Sequence, residues 1–152
     1  MVAQVVRRIL APVEIADNRD LDVGYAISLA AQLRAELLLL AVIDTPTTVD
    51  LIGRHRAIAS SSADFDKALQ DEVKAMLQRL VDQADAAGVK AVGHLTVSED
   101  VEEQILKEAL VQRVDLILVQ SRGRDGIMQA LLGSTAGELL KAAPCPVLVA
   151  RV

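Results

Sequence analysis

Two short stretches of small residues in the last third of the chain are candidates for binding an anion. Residues 120–126 follow an apolar run, and Gly133 with Ser134 precedes a helical pattern. A turn that ends a strand and a turn that opens a helix can direct unpaired backbone N–H groups at one point, which suits a phosphate. The same residues also fit two ordinary turns, and their spacing alone leaves both interpretations open.

The elements around these stretches follow from hydrophobic patterning. Residues 114–119 are apolar apart from Asp115, which predicts a buried parallel strand whose carboxyl end runs into the 120–126 loop. After the apolar residues 127–132, Ser134 is a candidate N-cap for a helix. Two prolines end that helix, and residues 147–152 predict a last strand. The apolar face of the helix comprises Ala136, Leu139, Leu140 and Ala143.

This region resembles the universal stress protein family. Nucleotide-binding members carry Gly, two residues, Gly, nine residues, then Gly followed by Ser or Thr. Here the same spacing joins Gln120, Gly123 and Gly133-Ser134, with Gln120 in place of the first glycine, and a family-like tail, APCPVLVARV, follows. The resemblance implies a flavodoxin-like α/β domain, usually dimeric. One branch of the family holds ATP and another binds no nucleotide.

The family's nucleotide contacts can be transferred position by position. The resemblance implies that residues 12–14 (Pro12, Val13, Glu14) reach the adenosine and that Val42 touches the base. It further implies that residues around the ribose and phosphates are Val119, Gln120, Gly123, Gly133, Ser134 and Thr135. Glu14 replaces a family Asp, and its carboxylate would face ribose hydroxyls or a metal ion. The implied ligand is ATP with Mg²⁺, and AMP or no ligand are the alternatives. Glu99 stands where many nucleotide-binding members have glycine.

Composition limits the class of protein. The 152 residues predict a single domain, residues 1–152, with a core of aliphatic side chains, since 52% of residues are hydrophobic and only 1% aromatic. The net charge of −5 argues against a nucleic-acid-binding surface, which needs a basic stripe. No stretch approaches the roughly 20 apolar residues of a membrane helix. A lone cysteine, Cys145, fits a reducing compartment and simple packing, so a cytoplasmic protein is expected.

The rest of the chain alternates strands and helices. Residues 5–13, 36–43 and 90–97 are predicted strands, and the third has the weak alternation of a sheet edge. Predicted helices cover residues 20–33, 64–87, ended by Gly88, and a segment that begins after Asp100 and presents Val101, Ile105 and Ala109. Gly88 and Gly93 have P-loop spacing, but the required Lys and Ser or Thr are missing, so we reject that motif.

The chain also has a long connection, residues 44–63, and two histidines, His55 and His94. Residues 44–63 lack periodicity, and the resemblance places this connection beside the nucleotide cleft, where it could cover the ligand. His55 lies there between two arginines, where a solvated or phosphate-facing role is favoured. Metal ligation needs converging ligands, and His94 is the only other histidine, so no metal site is predicted.

Five strands alternating with four helices predict a flavodoxin-like, Rossmann-like doubly wound parallel sheet. The strand order 3-2-1-4-5 would put the switch point between strands one and four, where such sheets bind ligands. We find no residues arranged as a general base and nucleophile, so an efficient enzyme is not expected. Three functions remain: a nucleotide-binding regulatory module, a nucleotide-free dimeric interaction protein, and a slow nucleotide hydrolase. The apolar last strand predicts a homodimer through that sheet edge.

Overall fold

The structure, a computed structural model, describes residues 2–13, 23–43, 62–121 and 141–151. Strands and helices alternate along most of this part of the chain. In order they are β1 (Arg8–Val13), α1 (Gly24–Leu33), β2 (Glu36–Ile43), α2 (Ser62–Ala86), β3 (Ala91–Val97), α3 (Val101–Val111), β4 (Leu116–Ser121) and β5 (Val147–Arg151). Residues 141 and 142 are helical and belong to the predicted fourth helix, most of which falls outside the described residues.

All five strands form one parallel sheet in the order β3-β2-β1-β4-β5. The register pairs Leu10 with Leu38 on one side and with Ile117 on the other, so β1 lies in the middle of the sheet. β3 and β5 are the two edges. The predicted doubly wound α/β fold and its strand order are confirmed.

The sheet separates two hydrophobic cores, because successive side chains of a strand point to opposite faces. Ile9 and Ala11 belong to the core under α1 and α2, whereas Leu10 belongs to the core under α3. Both faces are therefore covered, which explains why β2 is an uninterrupted apolar run, ELLLLAVI.

Short-range signals set the helix ends. Gly88 has φ +77°, a left-handed conformation that glycine adopts freely, and it follows α2 as predicted. Asp100 caps α3, since its side chain accepts a hydrogen bond from the Glu103 N–H at 3.1 Å. Gly93 is close to α2, because a Cβ there would lie 3.1 Å from the Leu77 Cβ. Its role is tight packing, in agreement with rejecting a P-loop.

Two predicted strand boundaries are wrong. β1 begins at Arg8 and not at residue 5, because its partner β2 begins at Glu36, which pairs with Arg8. Val5 has no strand beside it in this register and is 79% exposed. β4 runs from Leu116 to Ser121, whereas the apolar run had predicted residues 114–119.

The amino-terminal end of the sheet is tied by hydrogen bonds. The Asp115 carboxylate accepts from the backbone N–H groups of Arg7 and Arg8 at 2.9 and 3.0 Å. The Arg8 guanidinium donates to Glu36 at 3.1 Å, and together with Lys90 it lowers the pKa of that carboxyl. Because the Arg8 and Glu36 side chains are both about 40% exposed, water screens their pairing and we expect it to stabilise little.

Among the described residues, no helix is long and apolar enough to cross a membrane. Cys145 is half-buried and packs against the core under α3. Burial, with a smaller contribution from the charge of Asp115, raises the pKa of its thiol. A thiol that stays protonated is a poor nucleophile, which agrees with the predicted packing role.

Candidate functional site

Doubly wound sheets have an opening, or crevice, at the carboxyl ends of the two central strands between which the chain changes direction, and here those strands are β1 and β4. The paired register of these strands covers Ile9↔Leu116 and Leu10↔Ile117. Both strands then continue, β1 to Val13 and β4 to Ser121. The chain leaves β1 toward β2 on one side, while β4 lies on the other, so this opening is the topological switch point of the sheet.

Pro12 explains why the pairing between β1 and β4 stops. The Arg8 carbonyl accepts from the Asp115 N–H at 2.9 Å, so the backbone of even-numbered β1 residues faces β4. Residue 12 would be the next donor toward β4, and proline has no N–H. The backbone pairing of β1 with β4 therefore ends after Leu10.

The backbone of Gln120 faces this crevice. The Ile117 N–H donates to the Pro146 carbonyl at 3.0 Å, so Ile117 faces β5 with its backbone, and Gln120, three residues later, faces β1. Its N–H is therefore directed toward β1, near Pro12. A backbone donor at this place suits an oxygen acceptor on a ligand.

Three apolar residues share one face of the sheet beside the crevice. By strand alternation Pro12 lies on the same face as Leu10, and Val42 and Val119 belong to the core on that α3 side. They lie at the carboxyl ends of three adjacent strands, β1, β2 and β4. Val42 and Val119 are almost fully buried, and Pro12 is half-buried.

Val13 and Gln120 alternate onto the opposite face, toward α1 and α2. Val13 is a core residue there, and Gln120 pairs with Ala150, which belongs to the same core. The prediction that the strand stops at Val119 and that a loop begins at Gln120 is therefore wrong. Pairing with β5 extends β4 by two residues, although polar side chains end the apolar run.

The start of α3 borders the same end of the sheet. The Ser98 N–H donates to the Ile43 carbonyl at 3.0 Å, which ties this turn to the end of β2. Hydrogen bonding from the Glu103 N–H lowers the pKa of Asp100, so its carboxylate stays charged at neutral pH. Glu99 is exposed. Two carboxylates precede α3, which makes this turn unfavourable for a phosphate.

The structure brings together Pro12, Val13, Val42, Val119 and Gln120 at one end of the sheet. The other five predicted site residues lie outside the described residues. They are Glu14, Gly123, Gly133, Ser134 and Thr135. His55 also lies outside them.

A polar pair at the β3 edge of the sheet was not predicted from the sequence. His94 Nδ1 lies 3.1 Å from Glu108 Oε1, and Glu108 is the buried charged residue of the described chain. A signal was present in the helical pattern, because position 108 shares the apolar face of Val101, Ile105 and Ala109. A carboxylate at such a position needs a partner, and none could be assigned from sequence alone.

A model of the universal stress protein family matches residues 6–151. The chain belongs to the universal stress protein family. A universal stress protein of Methanocaldococcus jannaschii is 29% identical over 95% of this chain and 82% of its own length. The universal stress protein YxiE of Bacillus subtilis is 28% identical, over 95% of this chain and 98% of its own.

Solved structures have the same fold. A universal stress family protein from Burkholderia pseudomallei superposes with a TM-score of 0.67 at 22% identity, covering 97% of this chain and 98% of that one. An Arabidopsis thaliana family member with AMP bound gives 0.63 at 19%, covering 95% and 91%. A universal stress protein in complex with cAMP gives 0.61 at 18%, covering 97% and 98%. At these identities the similarity concerns the fold.

Proposed function

We propose that this chain is an adenine-nucleotide-binding universal stress protein that acts as a regulatory module and not as an efficient enzyme. The observation that supports the proposal is the switch point of the sheet between β1 and β4, whose backbone pairing ends before Pro12. Related folds with AMP and with cAMP bound support the choice of an adenine nucleotide.

The described residues fit such a ligand. Pro12, Val42 and Val119 would contact the flat faces of adenine, which carry no hydrogen-bonding groups. The Gln120 N–H would donate to an oxygen of the ribose or of a phosphate. Sequence resemblance assigns the phosphates of ATP to Gly123, Gly133, Ser134 and Thr135, and Mg²⁺ would accompany them. AMP is the alternative, and with one phosphate it needs fewer contacts from those loops than ATP does.

Regulation is favoured over catalysis by the nature of the polar groups. In the described ranges no cluster of three His, Cys, Asp or Glu side chains could hold a metal ion. The described crevice is lined by proline, valine and an amide, and none of these groups abstracts a proton at neutral pH. We therefore expect nucleotide to act as a bound signal, with hydrolysis slow.

The second candidate function is that of a nucleotide-free dimer that binds other proteins. Two observations favour it. Gln120 replaces the first glycine of the motif, and the acidic residues Glu99 and Asp100 directly precede α3. In either case we propose a homodimer formed by β5, an edge strand whose Val149 is 41% exposed.

A proline substitution tests the nucleotide proposal. Pro12→Ala supplies an N–H that faces β4, so it should extend the pairing of β1 with β4 and narrow the crevice. We expect calorimetric titration with ATP and AMP to show affinity reduced by about tenfold or more, with an unchanged or higher melting temperature. The exposed Pro144, replaced by alanine, is the matched control and should bind like the unmodified protein.

Two results would reject the proposal. Equal affinity of Pro12→Ala and the unmodified protein would show that the ligand lies elsewhere. If mass spectrometry finds no nucleotide released from purified protein, and millimolar ATP and AMP give no heat, the nucleotide-free interaction protein replaces it.

A further inference from the structure

The free edge of β3 lies in a groove between α2 and α3. A cavity of about 450 Å³ is lined by Lys74, Leu77, Gln78 and Val81 of α2, by residues 93–96 of β3, and by Glu108 of α3. Because the sheet separates the two helices, one cavity can reach both only by passing around the outer edge of β3. The edge is thus the floor of the groove, and the two helices are its walls.

Backbone groups of β3 point into this groove. The Leu37 N–H donates to the Lys90 carbonyl and the Ser98 N–H to the Ile43 carbonyl, so even-numbered residues of β3 bond to β2. The N–H and C=O groups of Gly93, Leu95 and Val97 consequently face outward. In the described part of the chain no strand pairs with these groups, and such a row is a template for one more strand.

The two walls differ in chemistry. On the α2 side Leu77 and Val81 present apolar surface, and Lys74 and Gln78 provide the polar groups. On the α3 side the buried carboxylate of Glu108 contacts His94, and the buried Thr96 hydroxyl has no hydrogen-bond partner among the described residues. This wall presents a carboxylate whose partner in the described chain is His94 and a hydroxyl that has none, and a donor group of a ligand can contact both.

We propose that this groove binds an extended peptide segment of a partner protein in which apolar and basic residues alternate. The peptide would pair with the outward backbone of Gly93 and Leu95 as an added strand. Since side chains of a strand alternate in direction, its apolar residues would pack on Leu77 and Val81, and its lysine or arginine residues would donate to Glu108 and Thr96. The proposal does not depend on nucleotide.

The test uses three labelled peptides of nine residues and fluorescence anisotropy with the full-length protein. The first alternates valine and lysine, the second valine and glutamate, and the third repeats the first with alternate backbone amides methylated. Only the first should bind. A glutamate peptide would meet the Glu108 carboxylate, and the methylated peptide cannot form the backbone pairing.

Substitutions of the α3 wall locate the binding. Glu108→Gln keeps the shape and removes the charge, so affinity for the valine–lysine peptide should fall about tenfold. Thr96→Val should lower it about threefold without lowering the melting temperature, because it removes a hydroxyl that makes no hydrogen bond. Glu72→Gln neutralises an exposed carboxylate of α2 and should bind normally.

Three outcomes would overturn the proposal. They are no binding of the valine–lysine peptide at millimolar concentration, equal binding of the valine–glutamate peptide, and affinity unchanged by both Glu108→Gln and Thr96→Val. Sedimentation of Val97→Pro adds a further check, because this variant removes an outward N–H at the same edge. If Val97→Pro dissociates a dimer of the unmodified protein, a second copy covers the edge and the peptide proposal is wrong.

Discussion

The two edges of the sheet, β3 and β5, expose the same backbone groups but surround them with different side chains. Along β3 the edge lies between two helices, with a buried carboxylate and an unpaired hydroxyl beside it. Along β5 the sequence Val147–Arg151 is nearly all apolar, and Val149 is 41% exposed. We infer that the edges select different partners, since backbone pairing alone carries no specificity.

An apolar edge without buried charge can pair with its own copy across a two-fold axis, because the same surface serves both subunits. An edge that places an acceptor on one wall cannot pair with itself as easily, since two copies would bring two carboxylates together. On this basis we propose self-association for β5 and recognition of a basic segment for β3. Proline substitutions separate these roles, because each strand directs alternate N–H groups inward and outward.

The largest effect is expected from proline at an inward position of β5. Ile117 donates to the Pro146 carbonyl, so the N–H of Leu148 faces β4 and that of Val149 faces outward. Leu148→Pro should lower the free energy of unfolding by about 3 kcal/mol or more, and Val149→Pro by less than about 1 kcal/mol. Urea unfolding followed by circular dichroism measures both, at protein concentrations at which the unmodified protein is monomeric, so that loss of the dimer does not enter the comparison. Equal losses would show that the assigned direction of these N–H groups is wrong.

The second prediction concerns the dimer. Val149→Pro removes an outward donor at the proposed interface, so the dimer dissociation constant should rise at least about a hundredfold, or about 2.7 kcal/mol. Val97→Pro is the matched change at the β3 edge and should leave the dimer intact. Sedimentation equilibrium distinguishes these cases. An unmodified protein that sediments as a monomer at high concentration would refute the β5 dimer.

The third prediction concerns α3, which forms one wall of the β3 groove. Asp100→Ala removes the cap at Glu103 and should cost about 1 kcal/mol at neutral pH. Asp71→Ala, on the exposed face of α2, is the control and should cost much less. Peptide binding at β3 should weaken in Asp100→Ala, while the dimer should not change.

The pH dependence of the Asp100→Ala effect has a definite sign. Hydrogen bonding lowers the pKa of folded Asp100 below its ordinary value of 3.8. The stabilisation is therefore fully present above about pH 4 and is lost as the pH falls through the lowered pKa. Urea unfolding at several pH values should show the variant and the unmodified protein converging in acid. A constant difference down to pH 2 would mean that Asp100 acts without its charge.

Sequence patterns were sufficient for the elements buried on both faces. β2 was predicted at its observed limits, Glu36–Ile43, because a strand under two helix layers must be apolar throughout. The strand order followed from the βαβ alternation and the family resemblance. The ends of β1 and β4 were predicted less well, because pairing with a neighbour decides where a strand ends. Arg8 and Ser121 are polar, yet both are paired.

The candidate sites were predicted unequally for a related reason. The family resemblance supplied Pro12, Val42 and Val119. In the structure Val42 and Val119 belong to the core under α3, and Pro12 lies on the same face of the sheet by strand alternation. The contact between His94 and Glu108 depends on how α3 packs over β3, and the intervening sequence, residues 95–107, carries no sign of it. Hydrophobic periodicity predicts which face of a helix is buried, but it does not identify the side chain opposite.

The smallest expected effect comes from Gln120, which lies near the carboxyl end of β4 and pairs with β5. Gln120→Gly removes a half-buried side chain that lies on the α1 and α2 face, and it keeps the N–H that faces β1. Glycine in a strand should cost about 0.5–1 kcal/mol of stability.

Nucleotide affinity should change by less than about threefold, since the side chain points away from Pro12, Val42 and Val119. Gln120→Ala separates backbone freedom from side-chain loss, because alanine removes the amide without loosening the strand. Calorimetric titration of ATP into both variants decides the matter. Tightening by tenfold or more in Gln120→Gly would show that the amide side chain occupies ligand space, and the assignment of its direction from strand alternation would then be wrong.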